Sequence, residues 1–140
     1  CLRRRPASAQ VHGAEHLLIA MMPWHLLCDR RDIGGLSNAL SDQTGTPVIF
    51  IYDGYEGGTG LCEASYPLFE GIAGSAFDAV DQCPCSEGCP ACIHSPKCGN
   101  DNQPLDKNGT MRLMSLYQDA GNADIMHPGS SLQVPSPCNE

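Results

Sequence analysis

Apolar positions along the chain form three helical stripes and one continuous run, separated by stretches without a period. From Ala9 to Met22, the residues Val11, Ala14, Leu17, Leu18, Met21 and Met22 recur at intervals of three and four. That spacing predicts a helix with a broad buried face. Ser8 is its candidate N-cap, and Pro23 its expected stop or kink, because proline lacks the amide that would continue the ladder. Trp24, Leu26 and Leu27 extend the apolar patch, and Cys28 to Gly35 reads as a charged turn closing on two glycines. Ser37 to Thr46 is polar and reads as loop. Pro47 to Asp53 is continuous, β-branched and aromatic, which predicts a buried central strand. A glycine-rich turn follows from Asp53 to Gly60. A helix is expected from Leu61, interrupted at Pro67, with Leu68, Ile72, Ala76 and Val80 packing on the strand. Leu105 to Tyr117 is the last short helix, with Met111, Leu113, Met114 and Leu116 apolar. The pattern predicts an α+β fold: a small domain with a short buried sheet and flanking helices over residues 9–117. Residues 1–8 read as a linker from a missing upstream region. Residues 118–140, rich in Gly, Pro and Ser, read as a disordered tail.

Cysteine changes this picture most. Of nine cysteines, five (Cys83, Cys85, Cys89, Cys92 and Cys98) lie in one short segment. An odd, clustered set is a poor disulfide framework, and such close neighbours reach each other's Cβ atoms with difficulty. They converge readily on one ion. Cys89-Pro-Ala-Cys92 is the turn that offers two sulfurs to a tetrahedral zinc. The expected ligands are Cys85, Cys89, Cys92 and Cys98, a four-cysteine zinc knuckle, with Cys83 as the alternative fourth ligand in place of Cys98. His94 is a further nitrogen donor, disfavoured by its closeness to Cys92. A redox Cys-x-x-Cys ordinarily opens a helix after a strand, which this one does not. Four thiolates close the coordination shell, so the zinc is expected to be structural.

Size and charge limit the function. The chain has 140 residues with 16 acids against 8 bases, a formal charge of −8. Three of the bases are Arg3, Arg4 and Arg5, in the expected linker. No basic face of the kind that carries autonomous nucleic-acid binding is in view. Lys97, Lys107 and Arg112 are the best candidates for a phosphate contact and are too few to make a binding surface. No apolar run approaches a membrane span and no signal peptide is in view, so a cytoplasmic location is expected. The length leaves no room for a motor or a kinase domain beside this one.

Other constellations carry weaker signals. His12 and His16 share a helix face at i and i+4, a metal-ligand spacing, but the run is HGAEH rather than HExxH. A pair of structural hydrogen bonds is the plainer reading. The rival is a small zinc-dependent hydrolase using His12 and His16 with Asp29 or Asp53. The turn Gly54 to Gly60 lacks any Lys or Arg and matches neither phosphate-binding pattern, which favours a packing turn. Cys62 stands at a helix start without a neighbouring His and reads as a buried thiol. No catalytic residue is assigned.

In order along the chain stand GluHis on a helix, CysAspArgArgAspIleGlyGly and IlePheIleTyrAspGly…GlyGlyThrGly. The segments GlyCysProAlaCysIleHisSerProLysCysGlyAsn and LeuAspLys follow. This order resembles the C-terminal MrfA-type zinc-binding domain of superfamily 2 DEAD/DEAH-box DNA helicases, over Val11 to about Tyr117. The resemblance implies a structural Zn2+ on four cysteines and a place downstream of two motor lobes absent from this chain. It further implies ATP-driven 3′-to-5′ translocation on DNA and a role in DNA repair, with ATP and Mg2+ bound only by those motor lobes. The expected partners are the helicase motor domains and, through them, DNA. No activity is expected of the fragment alone. The remaining alternative is a stand-alone zinc protein-interaction module.

Overall fold

The computed structural model describes residues 7–122. The arginines at 3–5, together with Cys1, Cys138 and most of the expected tail, lie outside that range. Helix α1 (Ala7–Leu26) is the spine, and a 3-10 turn (Arg30–Asp32) leads into strand β1 (Ile33–Asn38). Strand β2 (Val48–Asp53) follows, then the short α2 (Leu61–Ser65), a 3-10 turn (Tyr66–Leu68), α3 (Phe69–Asp81) and α4 (Lys107–Asn122). The architecture is α+β. Helices α1, α3 and α4 pack on one another, and a two-stranded antiparallel sheet lies against α1. No described helix is long and apolar enough to cross a membrane.

The α1 stripe does what its spacing requires. Ala14, Leu17, Leu18 and Met22 are buried, and they meet Ile72, Ala73, Ala76 and Val80 of α3 and Met114 of α4 in one core. Each large side chain so buried contributes roughly 1.5–3 kcal/mol. Pro23 does not stop the helix. It falls in the last turn, where only one amide is forfeited. His25 Nε2 pairs with Ser75 Oγ of α3 at 3.0 Å and holds that turn down. The helix ends instead at Leu27, whose φ is +52°. It also begins before the expected Ser8 cap, at Ala7.

Three helical expectations shift in detail. The α3 stripe packs chiefly on α1 and α4 rather than on the strand. Leu68 belongs to the preceding 3-10 turn and is exposed. Helix α4 runs five residues past Tyr117, so residues 118–122 are helical rather than tail. Its fully buried positions are Thr110 and Met114, with Lys107 one turn earlier, while Leu116 points outward. A close approach to Thr110 explains the glycine at position 13. A Cβ on Gly13 of α1 would lie 2.2 Å from Thr110 Oγ1, so only glycine lets the two helices cross there. Thr110 Oγ1 also donates to the Gln10 carbonyl at 3.1 Å.

The sheet departs furthest from expectation. Strand β2 is no buried central strand, because it pairs only with β1, in the register Leu36↔Phe50 and Gly34↔Tyr52. Its residues alternate: Ile49 and Ile51 pack toward the core, while Phe50 and Tyr52 are half-exposed on the outer face beside exposed Leu36. The partner strand, read as turn and loop from its glycines, is extended because those glycines are wanted there. A Cβ on Gly34 would sit 2.3 Å from the Tyr52 ring. The charged turn before it is a capped 3-10 turn. Asp29 accepts from the Arg31 amide at 2.8 Å, and Asp32 accepts from the Asp29 amide at 2.9 Å.

Candidate metal centre

Between α3 and α4 the chain makes no regular structure, and it is there that four sulfurs meet. Cys83, Cys85, Cys89 and Cys92 bring their sulfurs within 4.8 Å of one another. The separations are 3.6 Å for Cys83–Cys85 and 3.5 Å for both Cys83–Cys89 and Cys85–Cys92, with 3.8 Å for Cys89–Cys92. A zinc ion with sulfurs at 2.3 Å in a tetrahedron sets its ligands about 3.8 Å apart. The donor set and its spacing therefore fit zinc, and every described cysteine is a free thiol.

The knuckle is built around these sulfurs. The Cys89 amide points at Cys92 Sγ, 3.3 Å away, and the turn closes through the Cys92 amide on the Cys89 carbonyl at 3.0 Å. Cys92 and Ile93 are buried and root the loop in the core. Without an ion the thiols differ: burial pushes Cys92 up to about 12. The Cys85 amide and then the Cys89 and Cys85 thiols draw Cys83 down to about 7. An ion binding here must displace these protons, so its affinity falls as pH falls.

The structure does not bring Cys98 into this set. Cys98 Sγ lies 3.4 Å from His12 Nε2, in a separate group with His16. The sulfur that stands with those of Cys85, Cys89 and Cys92 is that of Cys83, the alternative fourth ligand. Although only one residue separates them, Cys83 and Cys85 carry their sulfurs to the same side, 3.6 Å apart. His94 belongs to neither group. The imidazoles of α1 are anchored by carbonyls through Nδ1. His12 Nδ1 donates to Pro104 at 3.0 Å, and His16 Nδ1 to Ile93 at 2.7 Å. Burial lowers the pKa of His16, which keeps it neutral. Neither Asp29 nor Asp53 joins them.

Two residues read as phosphate candidates are used internally. Lys107 is buried, and its ammonium donates to the Cys83 and Cys85 carbonyls, each at 2.5 Å. It sets a positive charge beside four sulfurs that, with zinc, would carry a net charge of about −2. Lys97 donates to the Arg30 and Ile33 carbonyls, both at 3.0 Å, and ties the loop after the knuckle to the start of β1. Sequence reasoning missed the role of Lys107, although its LeuAspLys setting formed part of the resemblance.

The glycine-rich turn is likewise occupied from within. One Asp53 oxygen accepts from the Thr59, Gly60 and Leu61 amides at 2.5, 2.6 and 3.2 Å, and the other from the Cys62 amide at 2.9 Å. Gly57, Gly58 and Gly60 take positive φ to aim those amides inward. The Cys62 thiol first, then the Cys62 and Thr59 amides, hold Asp53 well below the usual carboxylate range. Partial burial first, and then the same contact with Asp53, push Cys62 up to about 11, which suits a thiol that stays protonated rather than a nucleophile.

Comparison with known proteins agrees with the knuckle. Residues 14–93 match the family model of the MrfA Zn-binding domain, a span that takes in Cys83, Cys85, Cys89 and Cys92 and stops before Cys98. The chain is 40% identical over 110 residues to the uncharacterised protein MJ1572.1 of Methanocaldococcus jannaschii, covering 74% of this chain and 96% of that protein. It is 40% identical over 81 residues to the ATP-dependent helicase YprA of Bacillus subtilis, covering 58% of this chain and 11% of YprA. The crystal structure of the DUF1998 helicase MrfA bound to DNA superposes with a TM-score of 0.65 at 30% identity, over 82% of this chain and 15% of that one. The chain thus spans a small part of the helicases it resembles and nearly all of the archaeal relative. By fold, by the converging cysteines and by sequence, it belongs to the MrfA Zn-binding domain family.

Proposed function

We propose that this domain is the zinc-stabilised accessory part of an ATP-dependent DNA helicase, with Cys83, Cys85, Cys89 and Cys92 as ligands. The four converging sulfurs in a domain of this family carry the reading. The loop from Cys83 to Cys92 buries little besides Cys92 and Ile93, so the ion supplies what apolar contact does not. ATP hydrolysis with Mg2+, 3′-to-5′ translocation and a role in DNA repair are assigned to motor lobes outside this chain, in a cytoplasmic setting. Those lobes supply the phosphate contacts, in keeping with a domain whose Lys97 and Lys107 already serve internal carbonyls. The outer sheet face, with Leu36, Phe50 and Tyr52 exposed, suits burial against the rest of such an enzyme.

The test is to immunopurify the polypeptide carrying this domain from its own cells. Its size, DNA-stimulated ATP hydrolysis and unwinding of a 3′-tailed duplex are then measured. The reading expects a polypeptide far above 14.9 kDa with both activities, each impaired by Cys89→Ser. A large polypeptide without DNA-stimulated hydrolysis would contradict it. The archaeal relative, matched over 96% of its length, supports a second reading in which the domain is a separate polypeptide that docks on its partner. A band near 14.9 kDa would favour that reading.

A further inference from the structure

The corner where α1 meets the loop after the knuckle holds a second set of donors that the four-cysteine centre does not use. One ring nitrogen each of His12 and His16 and the Cys98 sulfur lie within 4.8 Å of one another. Both imidazoles spend Nδ1 on a carbonyl, Pro104 for His12 and Ile93 for His16. A carbonyl only accepts, so each Nδ1 carries the hydrogen and each Nε2 keeps its lone pair. This is how ligating histidines are usually held, by a hydrogen bond from the other ring nitrogen. A lone Cys–His hydrogen bond explains one such nitrogen and leaves the second without a reason.

The sulfur is prepared in the same way as those of the knuckle. The Asn102 amide points at Cys98 Sγ from 3.3 Å, as the Cys89 amide does at Cys92. The loop is shaped to deliver it. Asp101 and Asn102 both take positive φ, the Asn102 side chain accepts from the Ser95 amide at 2.6 Å, and the Cys98 amide closes on the Ser95 carbonyl at 3.3 Å. Zinc bonds of about 2.0 Å to nitrogen and 2.3 Å to sulfur at a tetrahedral angle set N and S about 3.5 Å apart. His12 Nε2 and Cys98 Sγ stand at 3.4 Å.

We propose that His12 Nε2, His16 Nε2 and Cys98 Sγ form a second metal site, for a borderline divalent ion of the zinc class, distinct from the four-cysteine centre. Two imidazoles and one thiolate suit zinc or cobalt rather than magnesium or calcium. Three protein donors leave one tetrahedral position free. It opens on a cavity of about 500 Å³ lined also by Glu15, Arg31, Lys97 and Tyr52, so water or an anionic ligand can complete the shell. His12 and Cys98 fall outside the residues matched to the family model, and the site does not depend on the helicase reading.

The test titrates the metal-free full chain with Zn2+ and counts bound ions by native mass spectrometry, then repeats the titration with Co2+ and follows absorption. Two ions are expected. The second should bind more weakly and add a cobalt spectrum with less sulfur-to-metal charge transfer, because one sulfur replaces four. Cys98→Ser and His12→Gln should each weaken the second ion at least tenfold and leave the first in place. The retained first ion reports that the domain is still folded. A single ion at excess zinc overturns the proposal. So does a second ion unaffected by either substitution, which would place it elsewhere on the chain.

Discussion

The two sulfur-bearing corners of this domain are assembled over very different lengths of chain. The knuckle draws its four sulfurs from the stretch between Cys83 and Cys92, with Lys107 of α4 holding the Cys83 and Cys85 carbonyls. The other corner brings Cys98 to His12, 86 positions away, and exists only once α1, the loop after the knuckle and Pro104 have packed. The first is a local device that an ion completes. The second is a product of tertiary structure, with its side chains already oriented by carbonyls and an amide. The knuckle should therefore lose its shape without metal, while the histidine corner, once the knuckle is loaded, should keep its shape whether or not a second ion enters.

The largest effect is expected at the knuckle. Cys89→Ser removes one thiolate from a site whose ion supplies folding energy, so the cost should exceed about 3 kcal/mol, or roughly 10 °C in melting temperature. Calorimetry of the zinc-loaded proteins checks this, and an unchanged melting curve would break the contrast. Next comes Lys107→Met. It strips the Cys83 and Cys85 carbonyls of their buried donor, which should cost about 2 kcal/mol and speed zinc release roughly tenfold or more. Competition with a chromogenic chelator measures that rate. If Lys107→Met matched the wild type, the ammonium would be a bystander. Cys98→Ser sharpens the comparison from the other side. Its sulfur holds no part of the knuckle, so with one equivalent of zinc, which fills the knuckle alone, stability should change by less than about 1 kcal/mol in urea titrations.

The smallest effect concerns the turn around Asp53. Its carboxyl is held below the ordinary value of 3.8, first by the Cys62 thiol and then by amides. The stability it contributes is therefore full above that ordinary value and is lost as pH falls below it. Asp53→Asn should flatten the acid limb of the stability curve below about pH 4 and leave its shape at neutral pH unaltered. Urea midpoints of both proteins across that range decide it. Zinc release in acid is common to the two and cancels in the difference.

Residues near each other in sequence were the legible ones. The α1 stripe, the α3 stripe from Ile72 to Val80 and the Cys-x-x-Cys turn rest on spacings of a few residues, while the family resemblance rests on motifs in order along the chain. What failed to show depends on distant neighbours. Strand β1 looks like a turn because its glycines are chosen for distant neighbours, Gly34 for the Tyr52 ring on β2 and Gly35 for Ile19 and Glu15 of α1. Strand β2 looks fully buried because its outer residues Phe50 and Tyr52 are as apolar as its inner ones. Gly13 gives no local hint that Thr110, 97 positions later, will cross it. Five clustered thiols defined a metal site without defining its membership. The choice between Cys83 and Cys98 turned on where the chain leaves α3 and on His12, and local spacing holds neither.

The most direct test of the four-cysteine centre sets Cys83→Ser beside Cys98→Ser. Native mass spectra of both are recorded at one equivalent of zinc per chain, with a competing chelator present. The account predicts that Cys98→Ser keeps this tightly held ion as the wild type does, and that Cys83→Ser gives it up. Retention by Cys83→Ser together with loss by Cys98→Ser would contradict it and return the fourth ligand to Cys98.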